Sequence, residues 1–130
     1  MSLLKHLKQR WSEWTGDKEM ELAIRRALLS CGYFGNTAKI RGLRLVAVQR
    51  PGWLQVMRFD ATARIKPESN DDDQPDPDAE YMELYGLVRE DVRKNDTTIR
   101  IFEAQSDRVE LFNRWSEGLI VTRGAGGLTD

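Results

Sequence analysis

Few side chains in this 130-residue sequence could carry out acid-base or nucleophilic chemistry. Catalysis near neutral pH usually relies on a histidine, an activated cysteine, a metal ion or two carboxylates with different pKa values. The sequence has one histidine, His6, and one cysteine, Cys31, so neither a metal cluster nor an internal disulfide is expected. We expect His6 to be solvated. Cys31 falls at the carboxyl end of a predicted helix, where the helix dipole disfavours a thiolate, and is expected to be buried and unreactive.

Carboxylates are therefore the remaining candidates for catalysis. Glu83 and Glu103 lie on two predicted strands, and their convergence in a concave pocket would indicate an enzyme that uses carboxylates and arginines. No glycine-rich turn leads from a strand into a helix, so the phosphate-loop and dinucleotide-binding motifs are absent. We expect no cofactor and no catalytic activity.

Charge is distributed unevenly along the chain, although the net charge is only −1. Residues 39–66 contain seven basic residues and one acidic residue, whereas residues 67–91 contain ten acidic residues and one arginine. The three prolines and many aspartates of residues 67–79 predict a mobile acidic loop. A calcium site is not predicted there, because prolines interrupt the aspartates and the glycine and glutamate of an EF-hand loop are missing. Whether this loop shields the basic segment from anions is left open.

The first part of the chain has the periodicity of two helices. An amphipathic helix is predicted over residues 2–14, and Gly16 and Asp17 separate it from a second helix that extends to about Cys31. Together they predict a helical hairpin. The apolar positions of the first helix are Leu4, Leu7, Trp11 and Trp14, and those of the second are Met20, Ile24, Ala27, Leu28 and Cys31.

From Lys39 the apolar period changes to two, which predicts a strand hairpin around Pro51 and Gly52. Two registers are compatible with this pattern, and we favour the one that pairs Leu45 with Phe59 through a bulge over the one that pairs Arg44 with Phe59. Alternation in the second strand predicts opposite environments for its two faces. We expect Met57, Phe59 and Ala61 to be buried and Arg58, Asp60 and Thr62 to be exposed.

The remaining residues predict two strands and a helix. Strands are expected over residues 80–90 and 97–103, followed by a helix capped by Ser106, and residues 119–121 are a candidate fifth strand. The glycine-rich residues 124–130 are expected to fray. The whole pattern predicts a single α+β domain over residues 1–130. In it, an N-terminal helical hairpin and a C-terminal helix pack mainly on one face of a four- or five-stranded antiparallel sheet.

The sequence identifies no specific partner. No apolar stretch is long enough for a membrane span and the first residues lack the features of a signal peptide, so a cytoplasmic location is expected. By elimination we predict a noncatalytic protein-binding or accessory module whose oligomeric state is open. Tryptophan is enriched at interface hot spots. Basic residues outnumber acidic ones in the predicted strand hairpin of residues 39–66, which we call the basic hairpin. The candidate partner-binding residues are Trp14, Arg58, Arg64 and Lys66.

Two alternatives place the function on other chemistry. Helix 2–14 resembles an interfacial membrane helix, which would make the protein a peripheral membrane factor, although only three cations precede Glu13. The basic hairpin could instead bind a single-stranded nucleic acid, with Trp53 stacking on a base. The alternation of Arg58, Asp60 and Arg64 with apolar residues is equally typical of an ordinary half-exposed strand.

Overall fold

The computed structural model describes residues 18–49, 52–66 and 80–128. The predicted helix 2–14 with its hairpin, the candidate Trp14 and the acidic loop 67–79 lie outside these ranges. The elements within them are α1 (Lys18–Ser30), β1 (Lys39–Val48), β2 (Leu54–Arg64), β3 (Tyr81–Asp91), β4 (Asp96–Phe102), α2 (Gln105–Trp115), β5 (Ile120–Val121) and a 3-10 helix (Arg123–Ala125).

The five strands of the described residues form one sheet in the order β4-β3-β2-β1-β5. Every neighbouring pair is antiparallel. Strands β1 to β4 lie side by side in the order of the sequence, as short connections require, whereas β5 lies at the opposite edge from β4. The predicted α+β class with an antiparallel sheet is therefore confirmed, and the candidate fifth strand is present as β5, which pairs with the end of β1.

The register of β1 against β2 differs from the predicted one. Leu45 pairs with Met57 rather than with Phe59, and the ladder shifts twice, between Arg41 and Arg44 and between Leu45 and Ala47. The first shift contains Gly42, whose φ of 70° is unfavourable for residues with a side chain. The predicted partner, Phe59, and the observed one, Met57, are two residues apart and lie on the same face of β2. Leu45 therefore still faces the predicted side of the sheet.

One face of the sheet packs against α1, and we call it the α1 face. Met57, Phe59 and Ala61 are fully buried there, as predicted. They share a core cluster with the α1 side chains Met20, Ile24 and Leu28. The spacing of these three residues places them on one stripe of the helix, and this stripe packs against the middle of this face.

The opposite face, which we call the α2 face, is covered as well. Val56 and Leu87 form a second core cluster with Phe112 of α2 and with Ala125 and Leu128. The prediction that the helices lie mainly on one face is therefore wrong, because β1 and β2 carry apolar residues on both of their sides. The same cover explains why Arg58, Asp60 and Thr62, which were predicted to be exposed, have intermediate exposure.

Three local predictions fail for separate reasons. Residues 124–128 do not fray, because Ala125 and Leu128 are buried in the second cluster. Helix α2 begins at Gln105 with Ala104 at the capping position, so Ser106 lies within the helix. Cys31 is exposed rather than buried, because α1 ends at Ser30 and the chain turns there.

Phe59 and Gly86 are direct cross-strand partners on the α1 face. A Cβ atom on Gly86 would overlap the ring of Phe59, so the aromatic side chain occupies the space above the glycine. We expect Phe59→Ala to cost about 3–5 kcal/mol in the free energy of unfolding, which urea denaturation would measure. Gly86→Ala should cost about 1–3 kcal/mol in the wild-type protein and close to nothing in the Phe59→Ala background.

The matched control is Gly126→Ala, since a Cβ atom there meets no atom within 4 Å. It should change stability by less than about 0.5 kcal/mol. Equal costs of Gly86→Ala in the two backgrounds would contradict the proposed contact.

Candidate functional site

A groove of about 280 Å³ lies between α1 and the segment that follows it, and we call it the α1 groove. Among the described residues, its lining contains apolar side chains and three basic residues, and none of these lining residues is acidic. The lining residues are Leu22, Arg25, Arg26, Leu29, Phe34, Gly35, Asn36 and Lys66.

The apolar part of the groove comes from a second stripe on α1. Leu22 and Leu29 are seven residues apart, two helical turns, and therefore lie on the same side of the helix. They are 51% and 49% exposed, whereas the core stripe of the same helix is almost fully buried. Both leucines can be read from the sequence. Their exposure cannot be predicted until the position of the sheet shows which side of α1 is buried.

The side chain of Arg25 holds the segment that follows α1, which forms the other wall of the groove, against the helix. Its Nη1 atom donates to the carbonyl oxygens of Gly35 at 2.6 Å and Ala38 at 2.8 Å, and its Nη2 atom donates to Glu21 at 2.8 Å. A Cβ atom on Gly35 would overlap the Arg25 carbonyl oxygen, so only glycine permits this close approach. The groove is consequently built on hydrogen-bonded backbone.

Lys66, one of the predicted partner-binding residues, lies at the rim of this groove. Its Nζ atom is 5.7 Å from the centre of the Phe34 ring, a cation-π distance. Its backbone amide donates to the Gly32 carbonyl oxygen at 2.8 Å, and the Phe34 amide donates to the Arg64 carbonyl oxygen at 2.9 Å. The end of β2 is thereby attached to the wall of the groove. Arg26, on α1, is exposed at the same rim.

Within the described residues, the structure does not bring Arg58 and Arg64, two of the other predicted partner-binding residues, together. Arg58 and Arg64 are six positions apart on β2, which corresponds to roughly 20 Å. The guanidinium of Arg64 lies over the ring of Tyr81 at 4.4 Å. Arg58 lies on the α2 face and donates to the carbonyl oxygens of Gly126 at 2.7 Å and Gly124 at 3.4 Å. Burial, followed by the neighbouring Arg108 and Arg44 guanidiniums, lowers the pKa of Arg58.

Arg108 of α2 is a buried arginine that sequence reasoning missed. It is 1% exposed, and its Nη1 atom donates to the Phe59 carbonyl oxygen at 2.9 Å and to the Asp60 carboxylate at 2.7 Å. The available signal was its position four residues before Phe112, on the apolar side of the helix. These hydrogen bonds give the Asp60 carboxylate a partner of opposite charge and join α2 to β2 at the centre of the sheet.

Glu83 and Glu103, the carboxylates whose convergence would have indicated an enzyme, bind different groups. Glu83 accepts from Thr62 at 2.6 Å and from Arg41, and these hydrogen bonds, in that order, lower the pKa of its carboxyl group. Glu103 accepts from the Tyr33 hydroxyl at 2.5 Å. Burial and then this hydrogen bond raise the pKa of Tyr33. The Tyr33 ring belongs to the core on the α1 face, whereas Glu83 is paired with Thr62 on the α2 face.

Trp53 is half-buried at the β1–β2 turn, and one face of its ring is already in contact with an arginine. The guanidinium of Arg93 lies 3.5 Å from the centre of this ring. A base could therefore not stack on that face without displacing Arg93. Arg41 and Arg44 of the basic hairpin are likewise engaged within the protein, with Glu83 and with the Gly124 carbonyl oxygen.

The comparisons with known proteins give no relative for this chain. It matches no family model, no curated protein sequence and no solved structure. Across residues 18–49, 52–66 and 80–128, no helix is long and apolar enough to span a membrane. The same residues contain no group of three or more histidine, cysteine or acidic side chains that could hold a metal ion.

The contacts of Glu83 predict how stability depends on pH. The folded state lowers the pKa of this carboxyl group below its ordinary value of 4.5. The stabilisation that its ionised form provides is therefore complete above pH 4.5 and is lost as the pH falls through the lowered pKa. We expect Glu83→Gln to destabilise the protein at pH 7 and to have a smaller effect at about pH 2, where more of the carboxyl group is protonated. Urea denaturation at both pH values measures the effect.

Glu117→Gln is the control, since Glu117 is exposed and makes no hydrogen bond or ion pair through its side chain within the described part of the chain. It should not change stability at either pH. A destabilisation by Glu83→Gln that persists unchanged at low pH would rule out the ionised contact as its source.

Proposed function

We propose that this protein is a noncatalytic protein-binding module and that the α1 groove binds its partner. The observation that supports this proposal is the pair of half-exposed leucines, Leu22 and Leu29, in a groove with a basic rim. The partner segment proposed is apolar at its centre and acidic at its flanks. An amphipathic helix lying in a groove is a common form of this kind of recognition.

The energetics of the groove favour such a segment. Full burial of a leucine side chain stabilises a complex by about 1.5–3 kcal/mol, and roughly half of that remains available at each of these two leucines. None of the described residues that line the groove is acidic and would repel a carboxylate, and Arg26 belongs to the lining. Complementary charge at a rim raises the association rate and selects among partners more than it adds affinity.

The chain's own remaining segments match this groove less well than an external partner does. Residues 67–78 contain six acidic residues but no apolar one, so they offer nothing for Leu22 and Leu29. Residues 1–17 are rich in leucine and tryptophan, but their three basic residues exceed their two acidic ones. Neither segment combines apolar residues with an excess of negative charge, which is the combination that the groove requires.

A peptide-display selection against the full-length protein tests the proposal. Enriched peptides should contain large apolar residues at helical spacing together with aspartate or glutamate. The affinity of a synthetic copy of the best peptide should fall by roughly tenfold or more when Leu22 and Leu29 are both replaced by serine. Fluorescence anisotropy measures this affinity. Arg26→Glu should also weaken binding. This loss of affinity should be larger at low salt than near 0.5 M, because salt screens exposed charges.

Two matched variants serve as controls. Val92 and Ile120 are also exposed apolar residues, 47% and 44%, and lie outside the groove, so replacing both by serine should leave the affinity unchanged. Arg123→Glu is the corresponding control for Arg26→Glu. A selection that enriches no sequence, or peptides that are insensitive to Leu22 and Leu29, would disprove binding at this groove.

One further variant separates the external partner from the chain's own first residues. If peptides bind only after Trp11 and Trp14 are replaced by serine in the full chain, then residues 1–17 occupy the groove and the proposed partner site is wrong. Binding of equal strength to both forms of the chain would support the proposal.

A further inference from the structure

Strand β4 forms one edge of the sheet, and its outer side pairs with no other described strand. Its seven residues, Asp96–Phe102, contain no proline. They pair with β3 in a register without shifts. Native proteins usually protect such an edge, because its unpaired backbone amides and carbonyls can bind another strand. Here the regular ladder leaves β4 with the geometry that strand addition requires.

The sequence of β4 is complementary to itself when two copies run antiparallel. A twofold axis through Thr98 places Asp96 of each copy opposite Arg100 of the other, and Thr98 opposite Thr98. Asp96 and Arg100 are both exposed, and neither makes a side-chain hydrogen bond or ion pair within the described ranges. Opposite charges and threonine pairs are favourable as direct cross-strand neighbours.

The charges select this register over its neighbours. A twofold axis through Arg100 would place two guanidiniums opposite each other, which is destabilising. An axis through Ile99 would place Asp96 opposite the apolar Phe102 and leave both charges without a partner. Only the axis at Thr98 pairs every charge of β4 with an opposite one.

We propose that the protein forms a homodimer through antiparallel pairing of β4 with β4 of a second copy, centred on Thr98. The two five-stranded sheets then form one continuous sheet across a twofold axis, an isologous interface in which each contact occurs twice. About five paired residues on each copy bury far less than the roughly 800 Å² per partner of a standard interface. The dimer is therefore expected to be weak, with a dissociation constant on the order of 0.1 mM.

Sedimentation equilibrium of the full chain between about 10 µM and 1 mM tests the proposal, since this range spans the expected dissociation constant. Wild type should pass from monomer to dimer. Arg100→Asp and Asp96→Arg should each weaken the dimer roughly tenfold or more, because the twofold axis turns one substitution into two like-charged pairs. An equimolar mixture of the two variants should dimerise again, as should the double variant, because all the pairs are then of opposite charge.

Variants that change charge elsewhere provide the control. Arg123→Asp and Glu117→Arg alter exposed charges outside β4 and should leave the dimer unchanged. A wild-type chain that stays monomeric over the whole range would overturn the proposal. So would a dimer unaffected by the β4 variants, or a mixture that fails to recover.

Cysteine cross-linking tests the register without charge reversal. In a Cys31→Ser background, Thr98→Cys places the two new Cβ atoms about 5 Å apart across the axis, and glutathione disulfide should link the copies. Arg100→Cys places them roughly 13 Å apart and should give no cross-link. A cross-link at position 100 but not at position 98 would show that the proposed register is wrong.

Discussion

Strand β2 lies at the centre of the sheet and must be covered on both of its faces, and the rest of the fold follows from this requirement. Its apolar side, with Phe59 over Gly86, is covered by α1. Its other side carries Arg58 and Asp60, which cannot be buried without partners for their charge. Arg108 of α2 binds Asp60, and the backbone carbonyls of the C-terminal segment accept from Arg58. Polar contacts thus select which segments cover this face.

The same arrangement explains where the surface features lie. Because α1 uses only the stripe containing Ile24 for the core, Leu22 and Leu29 remain exposed beside the wall that Arg25 holds. Of the basic residues of the predicted strand hairpin, Arg41 is engaged with Glu83, and Arg44 and Arg58 are engaged with backbone carbonyl oxygens. Arg64 and Lys66 lie over aromatic rings. The excess of positive charge along that part of the sequence therefore does not form one continuous surface.

Local periodicity was sufficient to predict the helices and strands of the described residues and the burial of Met57, Phe59 and Ala61. It could not predict the register of β1, because bulges interrupt the alternation of this strand. Leu45 packs against the core of the α1 face, whereas Ala47, two residues later, belongs to the cluster on the α2 face. It also missed Arg108, whose burial depends on an acceptor 48 positions away in sequence. The groove was missed for a related reason. Leu22 and Leu29 can be recognised as exposed only once it is known that the sheet packs against the stripe of α1 that contains Ile24.

Synthesis of the chain proceeds from the amino end, and the packing of Ala125 and Leu128 under the sheet has a consequence for that process. Until residues 123–128 have left the ribosome, Val46, Val56 and Leu87 lack part of their apolar cover and Arg58 lacks its carbonyl acceptors. The sheet can begin to pair earlier, since β1 to β4 are consecutive hairpins. Completion of the α2 face is therefore a late event in biosynthesis, and a nascent chain stalled before this segment would present an apolar surface to chaperones.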